Sequence, residues 1–148
     1  MEYRSFKERA MDVLVLIGRI LFVLLFLSSG FGHFAQRAAM VQYAQFKRVP
    51  MANLAVPASG LLLIAGSLSV LLGVWADLGA LLLLVFLVPT AFLMHAFWKE
   101  TDAEAKQTEM VHFNKDIALA GAALMLFAFF AHTGGDLGLT LTGPLFSL

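Results

Sequence analysis

The residues best suited to chemistry lie in segment 95–116 (HAFWKETDAEAKQTEMVHFNKD), a polar stretch between two hydrophobic runs. His95 opens this segment, and His112, Lys115 and Asp116 close it. His112 stands three residues before Lys115 and four before Asp116, so the imidazole, the ammonium and the carboxylate are neighbours on one helix face. Together these side chains can donate and accept several hydrogen bonds at one place.

Two aromatic side chains, Phe97 and Trp98, follow His95 in the same segment. Trp98 follows His95 by three residues and therefore shares its helix face. The alternative for each polar residue is structural, because a polar side chain near the end of a spanning helix can extend to the lipid headgroups.

Arg19 is a second candidate, because it interrupts the first hydrophobic run. A charged arginine at the centre of a spanning helix costs roughly 2.5–3.5 kcal/mol on insertion scales, so we expect its side chain to turn inward. Asp77 and Asp136 belong to segments near the same membrane face and are its candidate partners. An ion pair that only locks the helices together is the structural alternative to a functional charge.

The composition is typical of a membrane protein. Of the 148 residues, 60% are hydrophobic and 14% are charged, against about 45–50% and 25% in soluble domains, and the mean hydropathy is +0.84. The formal net charge is zero, so the chain offers no electrostatic basis for binding nucleic acid. Cysteine is absent, which excludes disulfides, thiolate metal sites and thiol redox chemistry within this chain.

Four hydrophobic runs are each long enough to cross a bilayer core of about 30 Å, which takes roughly 20 helical residues. They predict helices over residues 13–34, 53–74, 78–98 and 112–132, with a polar tail at 1–12 and a C-terminal tail at 133–148. The predicted fold class is all-α, an integral membrane antiparallel four-helix bundle. A cleaved signal peptide is the alternative for the first run, disfavoured by its length and by the three similar runs that follow.

Antiparallel helices sort the polar residues between two membrane faces. The face that carries segments 36–52 and 99–111 is called the loop pole, and the face that carries the chain termini and residues 75–77 is called the turn pole. Counting helices predicts that the candidate site residues meet at the loop pole: His33, Arg37, His95, Trp98, His112, Lys115 and Asp116.

Several motifs resemble the DoxX family of small four-helix membrane proteins. The carriers are VQYAQFKRVP (41–50), LLIAGSLSVLLGV (62–74), FLMHAFW (92–98) and HFNKDIALAGAAL (112–124). The resemblance implies that His95, Phe97 and Trp98 match the family's histidine and aromatic residues at the end of helix 3. It also implies that His112, Phe113 and Lys115 match the opening of helix 4, and that the protein is a multi-pass protein of the cell inner membrane.

The sequence departs from the family pattern at two places. Asp116 stands where the family usually has asparagine, which puts a carboxylate next to Lys115. Segment 62–67 has no acidic residue, although the family often carries a glutamate there.

The resemblance implies a link to redox systems, because a related subunit occurs in thiosulfate:quinone oxidoreductases and other members are associated with oxidative-stress defence. Our first hypothesis is an accessory membrane subunit of an oxidoreductase that works with a partner redox protein and binds a quinone at the loop pole. In this hypothesis His95 and Lys115 hydrogen-bond a carbonyl oxygen of the quinone ring, and the aromatic side chains of Phe97 and Trp98 lie beside it. A scaffold that recruits a soluble partner through segment 99–111 is the second. A haem or metal site is the third, disfavoured because the histidines lie near helix ends.

The predicted partners follow from the helices. We expect contact with the lipid bilayer and no intrinsic cofactor or metal. Small residues at 65, 69 and 73 form one helix stripe, which permits close helix packing and a homo-oligomer.

Overall fold

Helices account for nearly all regular structure in the computed structural model, which describes residues 5–148. The five α-helices of this part of the chain are α1 (Phe6–Ala35), α2 (Arg37–Phe46), α3 (Ala52–Leu72), α4 (Ala76–Met94) and α5 (Ala103–Thr133). Short 3₁₀ turns follow α4 (Phe97–Lys99) and α5 (Gly134–Asp136). Four segments, built on α1, α3, α4 and α5, are long and apolar enough to cross a membrane. The predicted all-α membrane bundle is confirmed.

The first and last spanning helices extend further than the hydrophobic runs. Helix α1 begins at Phe6, inside the predicted tail 1–12, because Ser5 and Glu8 form a reciprocal capping box. Helix α5 begins at Ala103, because Asp102 accepts a hydrogen bond from the backbone N–H of Ala105. Most of segment 99–111 is therefore helical, and residues 1–4 of the predicted tail lie outside the described residues.

The remaining predicted boundaries also shift. Segment 36–52 contains the short helix α2, and α3 ends at Leu72 because Gly73 adopts a left-handed conformation as its C-cap. Helix α4 ends at Met94 instead of residue 98, and the chain continues into the 3₁₀ turn. The early end of α4 frees His95 and Ala96 from regular helix geometry.

Close helix contacts rely on glycine. Helix α1 packs along α3, α3 along α4, and α4 along α5. A Cβ added to Gly30 would lie 2.8 Å from Cγ1 of Ile64, and one added to Gly79 would lie 2.8 Å from the carbonyl oxygen of Gly66. These glycines therefore bring α1 and α4 close to α3, as small residues do in membrane bundles. The core between the helices contains large apolar side chains such as Leu63 and Leu83.

Arg19 lies at the turn pole and is 1% exposed. Its guanidinium donates hydrogen bonds to the backbone carbonyls of Val70, Leu71 and Leu139. The predicted ion pair with Asp77 or Asp136 is therefore wrong. The last carbonyls of a helix have no helical donor, so the end of α3 offers acceptors that a buried arginine can satisfy.

The C-terminal segment, residues 137–148, folds across the turn pole. The carboxylate of Asp77, which is fully buried, accepts hydrogen bonds from the backbone N–H groups of Leu145 (2.9 Å) and Phe146 (2.6 Å). The carboxylate of Asp12 accepts one from Gly138 at 2.9 Å. The predicted C-terminal tail is thus held against the bundle by buried charges.

Candidate functional site: a cavity and polar network at the loop pole

A cavity of about 520 Å³ lies in the loop-pole half of the bundle. Side chains from all five α-helices line it, and most of them are apolar. Its polar lining includes His33, His95, Lys115 and Asp116. Small-molecule sites typically have volumes of about 300–1,000 Å³ with apolar walls and few polar groups, so this cavity has the size and character of a ligand site.

His95 is positioned by the end of α4. As the C-cap residue it leaves the helix with φ −115° and ψ 39°, and its ring reaches α5. Its Nδ1 lies 2.7 Å from Oε2 of Glu109, and its Nε2 lies 3.7 Å from Oδ2 of Asp116. The ring also stacks on His112, with a centroid distance of 5.1 Å. His95 therefore connects the cavity with a polar network on α5.

Glu109 is the centre of that network. It is 8% exposed, and its Oε1 accepts hydrogen bonds from Nζ of Lys47 at 2.6 Å and from the hydroxyl of Tyr43 at 3.2 Å. Lys47 also pairs with Glu100 at 3.0 Å. Ionised groups in a buried site need such partners to offset their lost hydration. The network joins the connection after α2 to the start of α5.

The same contacts shift the pKa values of the two residues near α2. Burial alone would lower the pKa of the Lys47 ammonium, but hydrogen bonds to Glu109 and Glu100 raise it above its ordinary value. Burial raises the pKa of the Tyr43 phenol, and the negative charge of Glu109 raises it further. Lys47 thus stays charged and Tyr43 stays protonated near neutral pH.

His33 enters the cavity wall from α1. Its Nδ1 lies 2.7 Å from the carbonyl oxygen of Ser29, one turn earlier, and its ring meets the edge of Phe86. A Cβ added to Gly60 of α3 would lie 2.8 Å from Cβ of His33. The absence of a side chain at Gly60 therefore makes room for His33.

Lys115 and Asp116 line the cavity from α5. Asp116 is 5% exposed, and its Oδ1 lies 3.5 Å from Nζ of Lys115. The Lys115 side chain is 45% exposed, so its ammonium lies at the edge of the site. The acid at position 116 therefore faces both Lys115 and His95.

Three of the seven candidate residues lie away from the cavity wall. His112 reaches the site only by stacking on His95. Arg37 donates a hydrogen bond to the carbonyl oxygen of Asn53 at 3.4 Å. This oxygen has no helical donor, because Pro57, four residues later, lacks an N–H. Trp98 packs with Phe92, Phe97 and Phe113 at centroid distances of 6.1, 5.1 and 5.6 Å. These aromatic rings form a cluster of their own instead of flanking the cavity.

Tyr43, Lys47 and Glu109 were not predicted as site residues. Helical spacing carried a signal for Glu109, which precedes His112 by three residues and Asp116 by seven and so shares their helix face. Tyr43 and Lys47 are four residues apart, but no pattern in the sequence predicts that their side chains reach Glu109.

Comparisons with known proteins agree on one family. The DoxX family model matches residues 14–96. The inner membrane protein YphA of Escherichia coli (strain K12) is 32% identical over 117 residues, which cover 79% of this chain and 83% of YphA. The inner membrane protein YqjF of the same organism is 32% identical over 115 residues, covering 78% and 82% of the two chains. No solved structure matches. Glu109, Lys115 and Asp116 lie beyond the residues that the family model matches.

Proposed function

The chain belongs to the DoxX family and is a multi-pass inner-membrane protein, and we propose that it binds a quinone-type ring in the cavity at the loop pole. In this proposal it serves an oxidoreductase system as an accessory membrane subunit. A partner redox protein supplies the electrons in this proposal, and the chain contributes no thiol couple, since it has no cysteine.

The cavity itself carries the proposal. Its walls are mainly apolar, and its polar residues include two histidines and an acidic residue next to a lysine. A quinone ring has the complementary form, with a flat apolar body and oxygen atoms that hydrogen-bond. Apolar walls with few polar groups are what bind and orient such a ligand.

The exposure of the lining supports entry from the lipid phase. Leu25 of α1 and Leu93 of α4 line the cavity and are 46% and 42% exposed. Both lie in membrane-spanning segments, where exposed apolar side chains face lipid. A hydrophobic ligand dissolved in the bilayer can therefore reach the cavity without crossing water.

The scaffold hypothesis receives less support from the same region. It needs the acidic residues of segment 99–111 to be free for a soluble partner. Of the segment's four acidic residues, Glu100 and Glu109 are bound to Lys47 and Asp102 caps α5, which leaves Glu104 exposed.

Ligand titration of the purified protein in lipid nanodiscs tests the proposal. A short-chain ubiquinone analogue, added in its oxidised or its reduced form, should saturate the wild type at one equivalent, and His95→Gln should weaken binding of the form that hydrogen-bonds His95 by about tenfold or more. Lys106→Ala is the control, because Lys106 is exposed on α5 and does not line the cavity.

A wild-type protein that fails to bind any quinone would contradict the proposal. Equal loss of binding in Lys106→Ala and His95→Gln would contradict the assignment to the cavity. Stoichiometric capture of a soluble protein by quinone-free nanodiscs would favour the scaffold.

A further inference from the structure

The two histidines of the cavity wall are held in the same way. Nδ1 of His95 contacts the carboxylate of Glu109, and Nδ1 of His33 contacts the carbonyl oxygen of Ser29, both at 2.7 Å. A carbonyl and a carboxylate only accept hydrogen bonds, so each Nδ1 must carry the hydrogen. In the neutral imidazole the other nitrogen, Nε2, is then an acceptor. When both rings are neutral, the wall thus holds two imidazole acceptors.

Two further hydroxyls of the wall have already donated their hydrogen. The hydroxyls of Ser59 and Thr90 donate to the carbonyls of Val56 and Phe86, both at 2.8 Å, which leaves the hydroxyl of Ser29 as a donor among the lining residues. Pro89 has no N–H, so the carbonyl of Val85 loses its usual helical donor. Both of these positions line the cavity.

Charged residues complete this pattern. Asp116 adds a carboxylate whose Oδ2 lies 3.7 Å from Nε2 of His95. This distance is too long for a direct hydrogen bond, and a ligand O–H group could donate to either atom. The ammonium of Lys115 can donate hydrogen bonds. It lies 3.5 Å from Asp116, however, and the side chain is 45% exposed, so this donor is at the edge of the cavity. The interior of the site is therefore rich in acceptors.

A ring with hydroxyl groups fits such a wall better than a ring with carbonyl groups. A hydroquinone can donate one O–H to Nε2 of His95 and another to an acceptor such as Nε2 of His33. A quinone would place its carbonyl oxygens against these acceptors, and buried acceptors without a donor are unfavourable. We infer that the cavity selects the reduced, hydroxylated form of its ring ligand over the oxidised quinone; this inference rests on the proposed function.

Glu109 is the positioning residue for this selectivity. It fixes the His95 tautomer as a carboxylate fixes a catalytic histidine in hydrolases, where replacing the acid by its amide yields the wrong tautomer. Lys47 and Tyr43 hold Glu109 in place through its other oxygen. In Glu109→Gln the amide can donate to Nδ1, which moves the imidazole hydrogen to Nε2 and makes it a donor.

Competing titrations under anaerobic conditions test the inference. The probes are a short-chain ubiquinone analogue and its chemically reduced hydroquinone, added to protein in nanodiscs and measured by equilibrium partition. The wild type should bind the hydroquinone about tenfold tighter than the quinone, the scale of one mispaired buried hydrogen bond. Glu109→Gln should bring this ratio close to one. Glu104→Gln is the matched control on the exposed first turn of α5 and should keep the wild-type ratio.

The outcomes separate the two claims. Binding of both probes with a wild-type ratio of one, or with a preference for the quinone, overturns the inference and leaves the proposed function standing. Binding of neither probe overturns the proposed function, and the selectivity with it.

Nitrogen-15 NMR of histidine-labelled protein gives a second measurement, and it does not depend on whether Glu109→Gln folds. The signals that disappear in His95→Gln and in His33→Gln identify the two rings. In their neutral form both should show hydrogen on Nδ1 and none on Nε2. Hydrogen on Nε2 of the neutral His95 ring overturns the inference regardless of the titration.

Discussion

The two poles of the bundle satisfy buried charge in different ways. At the turn pole, Arg19 and Asp77 bond to backbone groups of a helix end and of the C-terminal segment. At the loop pole, Lys47, Glu109 and His95 bond mainly to one another. Backbone partners are fixed by the fold, whereas side-chain partners can rotate or exchange hydrogens. The turn pole is therefore a fixed seal at one end of the bundle, and the loop pole is the adjustable end at which we propose ligand binding.

Arg19→Met is the strongest test of the seal. The change removes all three guanidinium hydrogen bonds and leaves the carbonyls of Val70, Leu71 and Leu139 without this donor. At about 1 kcal/mol or more for each buried acceptor, the free energy of unfolding should fall by about 3 kcal/mol or more. Denaturant titration in mixed micelles measures it, and carboxypeptidase digestion should become faster as the C-terminal segment detaches.

Arg37→Met is the control for Arg19→Met, because Arg37 is exposed and makes a single long hydrogen bond. It should lower stability far less and leave C-terminal digestion unchanged. Equal effects of the two variants would show that burial at the turn pole has no special role in stability.

Gly60→Ala tests whether the cavity needs His33 in its present position. The new methyl group would lie 2.8 Å from Cβ of His33 and 2.9 Å from the ring of Phe34, so α1 and α3 must separate. Overpacking of this kind lowers the free energy of unfolding by about 1–3 kcal/mol. Quinone affinity should fall as well, because the cavity wall moves.

Gly121→Ala is the matched control for Gly60→Ala, since a Cβ at Gly121 meets nothing within 4 Å. Alanine is a better helix former than glycine by about 1 kcal/mol, so this variant should be slightly more stable than the wild type and bind quinone normally. Loss of ligand binding in Gly121→Ala would mean that the assay reports general damage.

Lys47→Met tests the link between α2 and α5 at the loop pole. Glu109 keeps its bonds from Tyr43 and His95 but loses its closest donor, which is 2.6 Å away. We expect the free energy of unfolding to fall by about 1–3 kcal/mol, as for a buried group left partly unpaired. Lys106→Met, on the exposed surface of α5, should leave it unchanged. Unchanged stability in Lys47→Met would show that the network is dispensable for folding.

Hydropathy was sufficient to predict the four spanning segments and the pole at which the candidate residues meet. His33, His95, Lys115 and Asp116 line one cavity, because antiparallel spans leave little freedom in which helix ends share a face. The ends of α1 and α5 were predicted less well. Their capping residues lie in polar sequence outside the hydrophobic runs, so helices predicted from hydropathy alone are too short.

The partners of Arg19 illustrate what the sequence could not supply. A pattern of residue types suggests carboxylates for a buried cation, whereas the actual acceptors are backbone carbonyls that every residue has. Their availability depends on where α3 ends and on how the C-terminal segment folds over it. The network around Glu109 was missed for a related reason, since its donors Lys47 and Tyr43 come from a segment whose packing no periodicity revealed.

Alkaline titration should separate the two poles with the smallest perturbation. The pKa values of Lys47 and Tyr43 are raised above their ordinary values of 10.5 and 10.0. A raised pKa in the folded state means that each contribution to stability is complete below the ordinary value and is lost as the pH rises through the folded value. The loop pole should therefore loosen above about pH 10.5, while residues 137–148 contain no lysine or tyrosine that could respond.

The two tryptophans report on the poles separately, because Trp75 lies at the turn pole and Trp98 at the loop pole. Each can be observed alone after the other is changed to phenylalanine, in a Tyr3→Phe background that leaves Tyr43 as the one titrating phenol. Fluorescence of Trp98 should stay constant up to about pH 10.5 and change progressively from there to about pH 12.5, while that of Trp75 should stay constant throughout. Simultaneous changes would mean that the poles unfold as one unit, and the contrast between a fixed seal and an adjustable site would then not hold at alkaline pH.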